Sequence, residues 1–87
     1  MAGVPDVLAC WQGRFLAIEC KRPNKYPTKI QVAVLTQLEK AGAVVMVARA
    51  ADDVEELLGS LAVDNFPPSW RERETVYRAE RRRRSEN

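Results

Sequence analysis

Four residues in the first third of this 87-residue chain could do chemistry together: Asp6, Glu19, Lys21 and Gln31. The stretch FLAIECKRPNKY begins as a buried strand would, then places Glu19 and Lys21 on either side of Cys20 where more core is expected. Side chains two apart on a strand share a face. Val4 to Trp11 and Arg14 to Lys21 both read as strands, and Gln12-Gly13 between them suits a tight hairpin turn. With Trp11 opposite Arg14, the pairing runs back to set Asp6 against Glu19, Cβ atoms about 4.5–5.5 Å apart on the face that also carries Lys21. Leu8 and Cys10 share that face, so the acids border an apolar surface.

Opposed like charges weaken a sheet, and partial burial makes them worse. A divalent cation between them reverses the sign, because carboxylate and carbonyl oxygens suit a hard octahedral ion. A neighbouring ammonium adds charge where a phosphate or an attacking hydroxide could be held. Each feature alone is commonplace: acid-x-base at a strand end is usually a solvated edge, and an acid after Pro5 can serve a turn. Their convergence on one hairpin face is what suggests a site for a metal and an anion.

The elements that position these residues follow from pattern. Arg22 to Pro27 is a loop bracketed by prolines. Thr28 is a suitable N-cap for a helix running to about Ala41, stopped by Gly42, with Ile30, Val34, Leu35, Leu38 and Ala41 as its apolar stripe. Gln31 falls toward that stripe, where a buried amide must find partners. It can bond to a backbone edge or point at the carboxylates. Ala43 to Ala48 reads as a strand buried on both faces. Asp52 and Asp53 open a second helix to about Leu58, which Gly59-Ser60 would end. Leu61 to Pro68 reads as a connector. Ser69 and Glu72 form a capping-box pattern for a last helix, Trp70 to about Arg84, with Trp70, Val76, Tyr77 and Ala79 as a weak stripe. The order β-β-α-β-α predicts an α/β core with a mixed sheet, the third strand joining in parallel after a helical crossover. Residues 1–60 would form the core, and 61–87 a connector and basic C-terminal helix.

Composition narrows the chemistry. The chain is 46% apolar and 30% charged, as a soluble globular domain would be. No apolar run approaches the roughly 20 residues that span a bilayer. The start MAGVPDV lacks the features of a secretory signal, so a cytoplasmic location is expected. With no histidine, imidazole chemistry and most zinc sites are excluded. Cys10 and Cys20 read as free thiols packed as small apolar groups. A metal would therefore be held by oxygen, which suggests magnesium or manganese. The basic excess lies at the end, in Arg81-Arg82-Arg83-Arg84, a segment able to grip phosphates or to remain a solvated terminus.

Pro5-Asp6, then Glu19-Cys20-Lys21, then Gln31 on the following helix resembles the PD-(D/E)xK nuclease superfamily, and within it the virus-type replication–repair nuclease (VRR-NUC) domain. The resemblance spans Gly3 to about Leu58. It implies a minimal restriction-endonuclease-like core and a metal-dependent DNA endonuclease, with no small-molecule cofactor. In that reading Asp6, Glu19 and the Cys20 backbone carbonyl bind Mg²⁺ or Mn²⁺. Lys21 positions or activates the attacking water, and Gln31 supports the site. From the loop and the helix start, Lys25, Tyr26 and Lys29 could contact a polyanion such as DNA, or be ordinary solvated surface groups. Family members that resemble Holliday-junction resolvases act as symmetric pairs, which implies a homodimer and branched DNA among the substrates. The family also carries a glutamate on a helix before the first strand. Only Met1 to Pro5 precede Asp6 here; either the site is leaner than in that family, or Glu72, Glu74 or Glu80 of the last helix stands in, from the same chain or a second copy. A nuclease-like fold that binds DNA without cutting it is the alternative, and an interaction module with an incidental charged pair is a third.

Overall fold

The computed structural model describes residues 3–85. Its six elements are β1 (Val7–Trp11), β2 (Arg14–Cys20), α1 (Lys29–Lys40), β3 (Val44–Ala48), α2 (Ala51–Ala62) and α3 (Trp70–Ser85). They make a small α/β fold around a three-stranded mixed sheet of order β1-β2-β3.

The hairpin is set by its turn. Gln12 and Gly13 both take positive φ, 48° and 79°, the two-residue turn whose twist matches that of the flanking strands. Trp11 pairs with Arg14 and Val7 with Ile18, so the register is the expected one. Glutamine is poorly suited to a left-handed backbone, whereas asparagine tolerates it. Gln12→Asn is therefore expected to stabilise the protein by roughly 0.5 kcal/mol, read as a raised urea midpoint at unchanged slope.

β2 is central, antiparallel to β1 and parallel to β3, with Ile18 opposite Met46 and Cys20 opposite Ala48. Both faces of the sheet are covered. Leu16, Ile18, Met46 and Ala48 pack with Leu57 and Leu61 of α2. Ala17, Ala43 and Val45 pack with Leu35 of α1 and Trp70 of α3.

Several expectations are corrected or refined. Ile30, assigned to the apolar stripe, is exposed, and Val32 packs on the core instead. α2 does not stop at Gly59-Ser60 but continues to Ala62, through the boundary expected at residue 60. A helical glycine costs about 1 kcal/mol relative to alanine, and burying Leu61 regains more than that. Ser69 stands at the head of α3 as expected, its Oγ accepting from the Arg71 amide at 3.4 Å, and a tertiary contact joins it there. Glu39 of α1 accepts from the Ser69 hydroxyl at 2.7 Å and from the Trp70 amide at 3.0 Å, setting a carboxylate at the positive end of α3. Finally, Cys10 and Cys20 are free thiols, as expected, but both are exposed rather than packed.

The inner side of α3 is largely polar. Trp70, Glu74, Tyr77 and Arg81 recur at helical spacing; Trp70 and Glu74 are buried, whereas Val76, assigned to the stripe, is exposed. Among the described residues no helix is long and apolar enough to cross a membrane.

Candidate active site

The parallel strands β2 and β3 end side by side, a place where open α/β sheets often put their ligands. Glu19 is the last inward-facing residue of β2, only 2% exposed. Asp6 stands just before β1, at the same end of the sheet because β1 runs the other way. Its Oδ2 accepts from the Cys20 amide at 2.8 Å, which continues the hairpin pairing by one side-chain step. The two acids meet where the register predicts.

Their environments drive them apart in acidity. Burial raises the Glu19 carboxyl to about 7, and the adjacent Asp6 adds to the effect. The Cys20 amide holds Asp6 below its ordinary value, helped by the shared contact with Glu19. Near neutrality the pair carries between one and two negative charges. Glu19 Oε2 is buried with no hydrogen-bond partner, and a buried acceptor without a partner is costly. Lys21 is half-buried beside them and pulls both carboxyls down. Its own amide donates to the Ala48 carbonyl at 3.0 Å, tying it to the end of β3.

Gln31 does both things considered for it. Its Oε1 accepts from the Thr28 amide at 2.9 Å and the Gln31 amide donates to Thr28 Oγ1 at 3.2 Å, a capping box that starts α1. Its Nε2 meets Glu19 Oε1 at 3.5 Å, a long contact. The helix cap thus holds the amide over the carboxylate.

The acids expected to stand in for a family glutamate do not join this pair. Glu74 instead forms a two-pronged ion pair with Arg49, at 2.7 and 2.8 Å, with both side chains buried. Glu72 and Glu80 are exposed on α3. Among the described residues no group of three or more acidic or cysteine side chains assembles as a cation cage. Two carboxylates with an unpaired buried oxygen nevertheless suit Mg²⁺, which is commonly held by one or two carboxylates and keeps water or substrate oxygens elsewhere.

Arg49 is the residue sequence reasoning missed. It follows β3 as Lys21 follows β2, and that position at a strand's carboxyl end was the available signal. Besides Glu74 it donates to the Lys25 carbonyl at 2.8 Å, lies 3.7 Å from the Tyr77 ring centre and 5.4 Å from that of Tyr26. Burial opposes its charge, but the Glu74 carboxylate outweighs this and raises the guanidinium pKa. Tyr26 is therefore part of a clamp, edge-on to Tyr77 and under Arg78. Asn24 closes it, its amide donating to the Tyr77 hydroxyl and its Oδ1 accepting from Arg81. Lys25 and Lys29 are exposed on the held loop and at the start of α1.

Fold and site together define a small α/β protein with an acid pair and a lysine at the carboxyl end of its parallel strands. Comparison with protein-family models, curated proteins and solved structures finds no significant match for this chain.

Proposed function

We propose that this chain is a metal-dependent endonuclease that hydrolyses DNA phosphodiester bonds at the Asp6–Glu19–Lys21 site. The observation that carries the reading is the buried Glu19 carboxyl, held against Asp6 with one oxygen unpartnered. Once both acids are ionised, such a pair is a cost to folding unless a cation offsets it. A bound Mg²⁺ or Mn²⁺ would polarise the phosphate and lower the pKa of a water nucleophile. Asp6, Glu19 and the Cys20 carbonyl are the oxygens that would hold it. Gln31 Nε2, 3.5 Å from Glu19 Oε1, would support that carboxylate. The Lys21 ammonium, half-shielded from water, would hold the phosphate and offset the charge that grows on its oxygens.

The reading is tested by incubating the protein with supercoiled, linear and four-way-junction DNA, with and without Mn²⁺. Cleavage should require the metal, and Lys21→Ala should lower it by roughly a hundredfold or more. Cleavage that survives both Asp6→Ala and Glu19→Ala would place the chemistry elsewhere. Faster cutting of the junction than of the linear duplex would establish selectivity for branched DNA. A pair of such sites, one per copy in a homodimer, suits two strands of one substrate. The uncharged edge strand β1 is a surface through which copies could associate.

One observation favours the second reading, a DNA-binding module without cleavage. Among the described residues the carboxylate pair has no third acid beside it, and Glu74 is committed to Arg49. Metal-independent binding with no cutting under any divalent ion would select this alternative.

A further inference from the structure

A groove of about 280 Å³ runs between the start of α1 and the flank of α3, with Pro27 and Val32 on one wall and Arg71, Thr75 and Arg78 on the other. Its position follows from the clamp around Arg49, which seats the Arg22–Thr28 loop against α3. Arg71, Arg78 and Arg82 are spaced seven and four apart, so they line up on one side of the helix. All three are exposed. Glu72 and Glu80 are turned away by a quarter-turn or more, at about 100° per residue. Glu74 lines the groove but is neutralised by Arg49. On the opposite wall the exposed Lys25 and Lys29 bracket Pro27.

Arg71 and Arg78 line the groove, with Arg82 further along the same side of α3 and the exposed Lys25 and Lys29 flanking Pro27 in sequence; the one acid among the described lining residues, Glu74, is already paired. Arg81 and Asn24, at 2.6 Å, hold the walls together beside Tyr77. The loop that forms one wall leaves β2 directly after Lys21, the residue beside the acid pair.

We propose that this groove is a binding track for the sugar–phosphate backbone of duplex DNA on one side of the acid pair. It rests on the reading of DNA as substrate and adds the path the DNA takes. The cations responsible are Arg71, Arg78 and Arg82 with Lys25 and Lys29, rather than the run Arg81–Arg84 as a whole. Contacts of this kind read no sequence and weaken steeply with salt.

The test compares two variants that lose the same charge. Arg71→Gln/Arg82→Gln removes two cations from the track. Lys40→Gln/Arg83→Gln removes two exposed cations outside it. Affinity for a labelled duplex is measured by fluorescence anisotropy in EDTA over a range of salt. The track variant is expected to bind about tenfold more weakly, with a log–log salt slope smaller by about 2. The control should change by less than about twofold. A second probe is Tyr77→Phe, which releases the Asn24 amide without changing charge. It should lower affinity, as a merely electrostatic tail would not.

Equal losses in both double variants would mean diffuse attraction and would overturn the track, as would no loss in either. The nuclease reading fails separately. Track-dependent binding in EDTA, combined with no cleavage in Mn²⁺, supports the groove and ends the nuclease assignment. Lys21-dependent cleavage combined with an unaffected track variant does the reverse.

Discussion

Glu74→Ala is expected to cost about 3–5 kcal/mol, because it leaves the Arg49 guanidinium buried without its counter-ion. For a chain this short, total stability is on the order of 4–13 kcal/mol, so the variant should be largely unfolded on modest warming. The loss has two parts. The unpaired charge is the larger, since an arginine cannot shed its proton to escape burial. The second is the loop: with Arg49 free to move, its bond to the Lys25 carbonyl and its stacking on Tyr77 weaken together. A double variant separates them. Arg49→Met/Glu74→Leu replaces the ion pair by apolar groups of similar size and should regain most of the stability. It should not regain the loop. Urea denaturation reads the first effect, and amide exchange at Asn24 and Lys25 reads the second. If Glu74→Ala loses less than about 1 kcal/mol, the pair is solvated and the clamp is not a clamp.

The other large effect concerns protons and divalent ions at Glu19. Its carboxyl has a value of about 7 in the folded protein against an ordinary value of 4.5. The folded state therefore holds this proton more tightly than the unfolded one. That contribution to stability is fully present below 4.5 and is lost as pH rises through about 7. Asp6 has the opposite sign, but its carboxyl is already ionised across this window. Metal-free protein should consequently melt several degrees lower at about pH 8 than at about pH 5. Millimolar Mg²⁺ or Mn²⁺ should reverse the loss at high pH and do little at low pH, where protons occupy the site. Glu19→Gln should abolish both the slope and the metal response. A melting temperature that is flat with pH in the wild type, or a metal response that persists in Glu19→Gln, would show that Glu19 is not the group responsible.

What could be read in advance divides along a physical line. The hairpin register was legible because a two-residue turn admits one pairing, and that pairing alone places Asp6 against Glu19. Thr28 as a cap was legible because capping is local. The continuation of α2 was hidden because Gly59 and Ser60 look like a stop, and only the packing of Leu61 under the sheet overrides them. Glu39 at the head of α3 and Glu74 on Arg49 were hidden for a further reason. Their partners lie 31 and 25 residues away, beyond anything periodicity reports. The inner side of α3 was misread because it is largely polar, and an apolar count finds a stripe only where burial is apolar. The sheet and acid pair were therefore visible from local rules, whereas the clamp that seats the Arg22–Thr28 loop was not.

The pleat of the hairpin also governs what oxidation can do. Cys10 faces the side shared by Phe15 and Glu19, and Cys20 the side shared by Leu16 and Ile18, following the register. With the sheet between them, the two sulfurs cannot reach one another while the strands stay paired. Both are at the surface. Loss of reductant would therefore join separate molecules through their cysteines instead of stapling one, and with two such valences per chain the covalent products could grow beyond pairs.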